Sequence, residues 1–163
     1  MKLYMKQRPF NLKGNFTIKD ENENDVYYVE GKLFSIGKKY YLYDMEDNEL
    51  AHFNEIFMSM LGKYEIYVND ELITTIENKF SLFKRKLGFS NLDWHIEGSI
   101  SDHEFSVCDS NDVEIASLSK AWFTWGDIYV VDIVNPNDEL LIIMVVLAID
   151  VLNERRKVAV TST

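Results

Sequence analysis

From Phe16 to Val134 the chain runs in short apolar segments broken by acidic, Asn-rich stretches at spacings near ten residues. Strands joined by tight turns produce such a pattern. It predicts strands at 16–18, 26–29, 33–36, 40–43, 49–53, 64–68, 72–76, 80–83, 94–97, 105–108, 114–118 and 128–133, with turns at 20–25, 44–48, 69–70 and 109–112. Asp, Asn and Ser suit those turns because their short side chains bond to nearby backbone and tolerate left-handed conformations. Alternation in Tyr64-Glu-Ile-Tyr-Val68 and Glu114-Ile-Ala-Ser-Leu-Ser119 marks strands with one buried face.

The pattern also recurs within the chain. Glu30-Gly31 returns as Glu97-Gly98, and Asp44, Glu49, Ala51, Phe57 and Tyr64 return 65 residues later as Asp109, Glu114, Ala116, Trp122 and Tyr129. Two equivalent halves are expected. A duplicated hairpin meander closes naturally on itself, because closure removes exposed strand edges. No Pro-, Gly- or Ser-rich stretch interrupts the chain, so residues 1–163 are read as a single domain.

After Val134 the period changes. Asn135-Pro136-Asn137-Asp138-Glu139 offers a helix cap, a first-turn proline and acids at the positive end of the dipole, while Arg155-Arg156-Lys157 offers cations for the other end. Between them, residues 140–152 are apolar on every face except at Asp150. A helix apolar all round must be surrounded by protein or by lipid. Thirteen residues rise about 20 Å, too short for a bilayer core of about 30 Å, and a carboxylate in a spanning segment costs about 2.5–3.5 kcal/mol. Strands of five or six residues make a wall about 17–20 Å tall, which matches the helix. The expected fold is mainly β: a closed antiparallel β-barrel of about twelve strands enclosing a central hydrophobic C-terminal helix at about 137–154.

Composition narrows the functional classes. Hydrophobic residues make up 47% and aromatics 13%, as in a chain that folds around a core. The formal net charge of -10 argues against nucleic acid, whose binding relies on Lys and Arg displacing counterions. Cys108 is the only cysteine, so there is no intramolecular disulfide framework. With no secretory signal pattern at 1–10, a cytoplasmic protein is expected.

Met1-Lys-Leu-Tyr4, Asp25-Val-Tyr-Tyr-Val-Glu-Gly31, Tyr64-Glu-Ile-Tyr67, Ile115-Ala-Ser-Leu-Ser-Lys120, Trp122-Phe-Thr-Trp-Gly-Asp127 and Leu147-Ala-Ile-Asp150 occur in an order and spacing that resemble the LURP-one-related group of the tubby C-terminal-like superfamily, in particular its small bacterial YxjI-type members. The resemblance implies a twelve-stranded barrel around a hydrophobic helix. The leading functional expectation is a non-enzymatic binding or scaffold module of that type. Tubby members bind phosphoinositides through basic residues and scramblase-like relatives act at membranes. No position-by-position match to those headgroup residues exists here, and the acylated cysteine cluster of scramblases is missing.

Lys84, Arg85 and Lys86 form the densest basic cluster in the barrel region and are the candidate site for a lipid headgroup or another anion; the competing reading is a solvated loop. The expected partner is an anionic lipid or a protein, with a scramblase-like lipid-handling role as the alternative and an unrecognised enzyme third. Asp150 is expected to reach a Tyr hydroxyl, a basic side chain or the barrel mouth. Asp20, Asn22 and Asn24, and Asp44, Glu46, Asn48 and Glu55, mimic calcium loops but lack the required glycine. Hairpin turns explain them better. His95, His103 and Cys108 match no zinc spacing, Cys108 with His103 reads as packing rather than a nucleophile and base, and Trp122 to Trp125 reads as barrel wall. No metal, cofactor or catalytic residue is expected.

Overall fold

The computed structural model describes residues 1–6, 15–32, 37–56, 59, 62–79, 86–123 and 126–161, with side chains described at all of these except 6, 79, 122–123, 126–127 and 154–161. Twelve strands precede one helix: β1 (Lys2–Lys6), β2 (Phe16–Lys19), β3 (Asp25–Lys32), β4 (Lys39–Tyr43), β5 (Glu49–Glu55), β6 (Lys63–Val68), β7 (Glu71–Lys79), β8 (Lys86–Phe89), β9 (His95–Ser99), β10 (Glu104–Cys108), β11 (Glu114–Phe123), β12 (Gly126–Ile133) and α1 (Glu139–Thr161). They form one antiparallel sheet in the order β8-β7-β6-β5-β4-β3-β2-β1-β12-β11-β10-β9. Its end strands, β8 and β9, lie in contact. The result is a nearly closed barrel with one C-terminal helix.

Ten of the predicted strands coincide with observed ones, while 33–36 and 80–83 lie outside the described residues. Two observed strands have no counterpart in the predicted pattern. β8 is only four residues long and contains Gly88, a poor strand former. β1 pairs with β12, with Leu3 opposite Val131, and with β2, with Met5 opposite Ile18. Its pairing with β12 joins opposite ends of the chain, so no local turn marks it.

Three hairpins share one turn. The Oδ1 atoms of Asp20, Asp44 and Asp109 each accept from the backbone N–H two and four residues on, at 2.8–3.0 Å. The residue three positions on is left-handed in each: Glu23 at φ 64, Asp47 at 65 and Asp112 at 62. In each hairpin the register also shifts just before the turn. Leu42 faces Ala51 as Val107 faces Ala116, and Glu55 faces Tyr64 as Lys120 faces Tyr129. Glycine lies opposite an aromatic residue in both β3–β4 and β9–β10, Gly31 against Tyr40 and Gly98 against Phe105. Of these two glycines only Gly98 is left-handed, at φ 97.

The helix fills the barrel. Every residue from Ile142 to Asn153 is buried, surrounded by inward-facing side chains that include Leu3, Ile18, Leu42, Phe53, Ile66, Ile76 and Ile133. Each buried Leu, Ile, Val or Met contributes about 1.5–3 kcal/mol. At its start, Asn135 Oδ1 accepts from the Asn137 N–H at 3.1 Å and Pro136 opens a 3-10 turn. The helix continues to Thr161, beyond the expected end near 154, because no glycine or proline follows Leu152 to stop it. Arg155, Arg156 and Lys157 therefore lie within the helix and not in its last turn, which corrects their reading as C-terminal dipole partners.

Candidate functional site

An antiparallel meander puts alternate turns on the same rim. One rim carries the β2–β3, β4–β5, β6–β7 and β10–β11 turns and the start of α1, and its described charges include Asp20, Glu21, Glu23, Asp44, Glu46, Asp47, Asp70, Asp109, Asp112, Asp138 and Glu139. Lysines near it are paired, Lys19 with Asp25 at 2.6 Å and Lys2 with Asp132 at 3.8 Å. This is the acidic rim.

Cations gather at the opposite rim. Lys32 lies directly across from Lys39 at the β3–β4 end, and Lys79 directly across from Lys86 at the β7–β8 end. Lys38 adjoins the first pair, its backbone N–H bonded to Glu55 Oε2 at 2.9 Å, and Lys63 at the start of β6 pairs with Glu77 at 3.5 Å. Of the basic cluster singled out in the sequence, Lys86 is the exposed first residue of β8, while Lys84 and Arg85 lie outside the described residues. Sequence reading missed Lys32, Lys39 and Lys79 because no dense basic run marks them, and only strand pairing brings them side by side with their partners.

The outer wall of β3–β6 carries a run of rings. Tyr28 and Tyr43 have centroids 6.3 Å apart, Tyr43 and Tyr41 6.3 Å, Tyr41 and His52 5.5 Å, and His52 and Tyr67 4.6 Å. Carboxylates border them. Glu49 Oε1 is 2.7 Å from His52 Nδ1, Tyr67 donates to Glu65 Oε2 at 3.1 Å, and Glu30 is in register with Tyr41. Burial first, then the charges of Glu30 and Glu49, raise the Tyr43 hydroxyl above its ordinary range; burial first, then Glu65, does the same to Tyr67. These phenols stay neutral at physiological pH.

Inside the barrel, Asp150 meets His103, with Oδ1 3.4 Å from Nδ1. The His103 ring lies 4.8 Å from that of Tyr129, and Asn153 Nδ2 donates to the Ile100 carbonyl at 3.1 Å. Together these contacts tie the helix to the β9–β10 turn. His103 precedes β10 and Cys108 ends it, so the two lie at opposite ends of that strand, and Cys108 instead faces His95 in the ladder. Burial first, then Glu97, Glu114, Asp112 and Asp109, pushes the Cys108 thiol up, against thiolate formation.

At two places among the described residues, one histidine and two carboxylates come within 4.8 Å of one another, Glu49–His52–Asp70 and His95–Glu97–Asp112. The carboxylates that resembled calcium ligands are used in their own turns: Asp20 Oδ2 accepts from Asn24 Nδ2 at 3.0 Å and Asp44 Oδ2 from Asn48 Nδ2 at 2.8 Å, besides their backbone bonds. Trp122 lies in β11, but its side chain is outside what is described, as are Thr124 and Trp125 altogether. Among the described residues no helix is long and apolar enough to cross a membrane.

A family model described as LURP-one-related matches residues 1–150. The uncharacterized protein YxjI of Bacillus subtilis (strain 168) is 32% identical over 150 residues, covering 92% of each chain. The X-ray structure of the Arabidopsis thaliana protein AT5G01750 superposes with a TM-score of 0.64 at 18% identity, covering 92% of this chain and 90% of that one, a likeness of fold.

Proposed function

The chain belongs to the LURP-one-related family, and on that premise we propose a non-enzymatic binding module that takes an anionic ligand, foremost a phospholipid headgroup, at its basic rim. The observation that carries this reading is the strand register that sets two pairs of lysines across from each other, Lys32 with Lys39 and Lys79 with Lys86, on one rim of an acidic protein. Like charges directly opposite each other destabilise a sheet. An anion bound at this rim would offset that cost. Lys84 and Arg85, next to Lys86 in the chain, belong to the proposed site. The filled interior supports binding on the outside, since the helix from Ile142 to Leu152 occupies the space where a barrel would hold a ligand.

Flotation with phosphatidylserine-containing and pure phosphatidylcholine vesicles tests this reading. The expected result is binding to the anionic vesicles alone, weakened by salt because exposed charges are screened, and lost on joint replacement of Lys84, Arg85 and Lys86 by alanine. Soluble inositol phosphate separates a headgroup site from a bilayer-dependent one. Failure to bind both vesicles and inositol phosphate sinks the anion reading. A fluorescent-lipid assay showing movement between leaflets would favour the scramblase-like role instead.

A further inference from the structure

The ring-bearing wall of β3–β6 differs chemically from the basic rim. Tyr28, Tyr43, Tyr41, His52 and Tyr67 form a continuous outward-facing aromatic surface across four strands. Apolar side chains extend it: Leu72, in register with Tyr67, is 46% exposed, and Met45, close to Tyr43 in the turn, is 53% exposed. Glu30, Glu49 and Glu65 border the rings. Aromatic faces attract cations through their quadrupole, and neighbouring carboxylates add to that attraction.

The chain itself shows that this wall accepts a cation. Lys32 Nζ lies 4.6 Å from the centroid of Tyr41. Lys32 thus rests on a ring whose residue is in register with Glu30. It occupies the position an incoming ammonium or guanidinium would take.

We infer that the outer wall of β3–β6 docks a basic, partly apolar segment of a partner protein, with a Lys or Arg over Tyr41 and Tyr43 and against Glu30 and Glu49, and apolar side chains on Leu72 and Met45. Tyr and Arg are enriched where protein interfaces concentrate their energy, because the ring supplies contact area at low entropic cost. Charge decides the class of partner. An acidic peptide would place its carboxylates against Glu30, Glu49 and Glu65, and an anionic membrane would meet the same repulsion. Lys32 acts as an internal competitor that the partner's cation displaces.

A short synthetic peptide alternating leucine and arginine, with a leucine–glutamate counterpart, tests the inference by NMR titration of the intact chain. The arginine peptide is expected to bind saturably and shift the signals of Tyr28, Tyr41, Tyr43, His52 and Tyr67, while the glutamate peptide leaves them unmoved. Lys32→Ala and Lys39→Ala remove the same charge, but only Lys32→Ala uncovers the ring. Lys32→Ala should therefore tighten binding about two- to fivefold more than Lys39→Ala, the scale of one exposed cation–π contact. Tyr41→Leu keeps an apolar side chain at the position and should weaken binding, with an unchanged melting temperature showing that the barrel is intact. The inference is overturned by no binding of the arginine peptide, by equal shifts with the glutamate peptide, by shifts confined to the basic rim, or by equal effects of the two lysine substitutions.

Discussion

His103 Nδ1 stands 3.4 Å from Asp150 Oδ1, where a turn residue at φ 58 reaches the carboxylate of the otherwise apolar helix run. Both side chains are about nine-tenths buried. Removing one member of such a pair takes a buried polar contact from the other, which costs about 1–3 kcal/mol. His103→Ala and Asp150→Ala should each lower the urea midpoint strongly. The double variant should lose less than the two effects added together, by about 0.5–3 kcal/mol. Additive losses would show that the contact carries no coupling.

The helix is expected to be the core and not an appendage. Leu147 is 1% exposed, so Leu147→Ala should cost about 2–5 kcal/mol through lost burial and a residual cavity. Truncation before Asn137 should abolish cooperative thermal unfolding, monitored by near-ultraviolet circular dichroism. A truncated chain that still melts cooperatively would refute the central role given to the helix.

Acid should unfold the protein partly through its turns. Hydrogen bonds hold Asp20, Asp44 and Asp109 below the usual carboxylate range, chiefly those from the Asn24 and Asn48 side chains for the first two and from the Val113 backbone for the third. A carboxylate whose folded value is depressed adds stability that is fully present above its unfolded value of about 3.9 and is lost as pH falls through the folded value. Jointly replacing Asp20, Asp44 and Asp109 by Asn should flatten the fall in urea midpoint between about pH 5 and pH 2. An unchanged slope would place the acid sensitivity in other groups.

The turns and the helix start were legible because their chemistry is local. Asp at the first turn position and Asn at the fifth specify the β2–β3 and β4–β5 hairpins through bonds spanning four residues, and Asn135 with Pro136 marks the entry to the helix. Asp109 shows how little is required: Val113 stands where the other turns have Asn, and the same backbone bonds form. The apolar run 140–152 likewise dictated its own burial, since no exposed face could satisfy it.

Strand periodicity, three matching turns and a helix that had to be enclosed were thus written in the chain, because each depends on neighbours a few residues apart. Long-range packing alone settled that β1 sits between β2 and β12, that Asp150 meets His103, and that Lys32 and Lys79 face Lys39 and Lys86. The same register aligned Tyr28, Tyr41, Tyr43, His52 and Tyr67 into one surface. Shifting any of these strands by one residue would send its rings to the opposite face, because side chains alternate with a period of two. Register is set by packing against the helix as well as by the turns, and that information lies in contacts between distant parts of the chain.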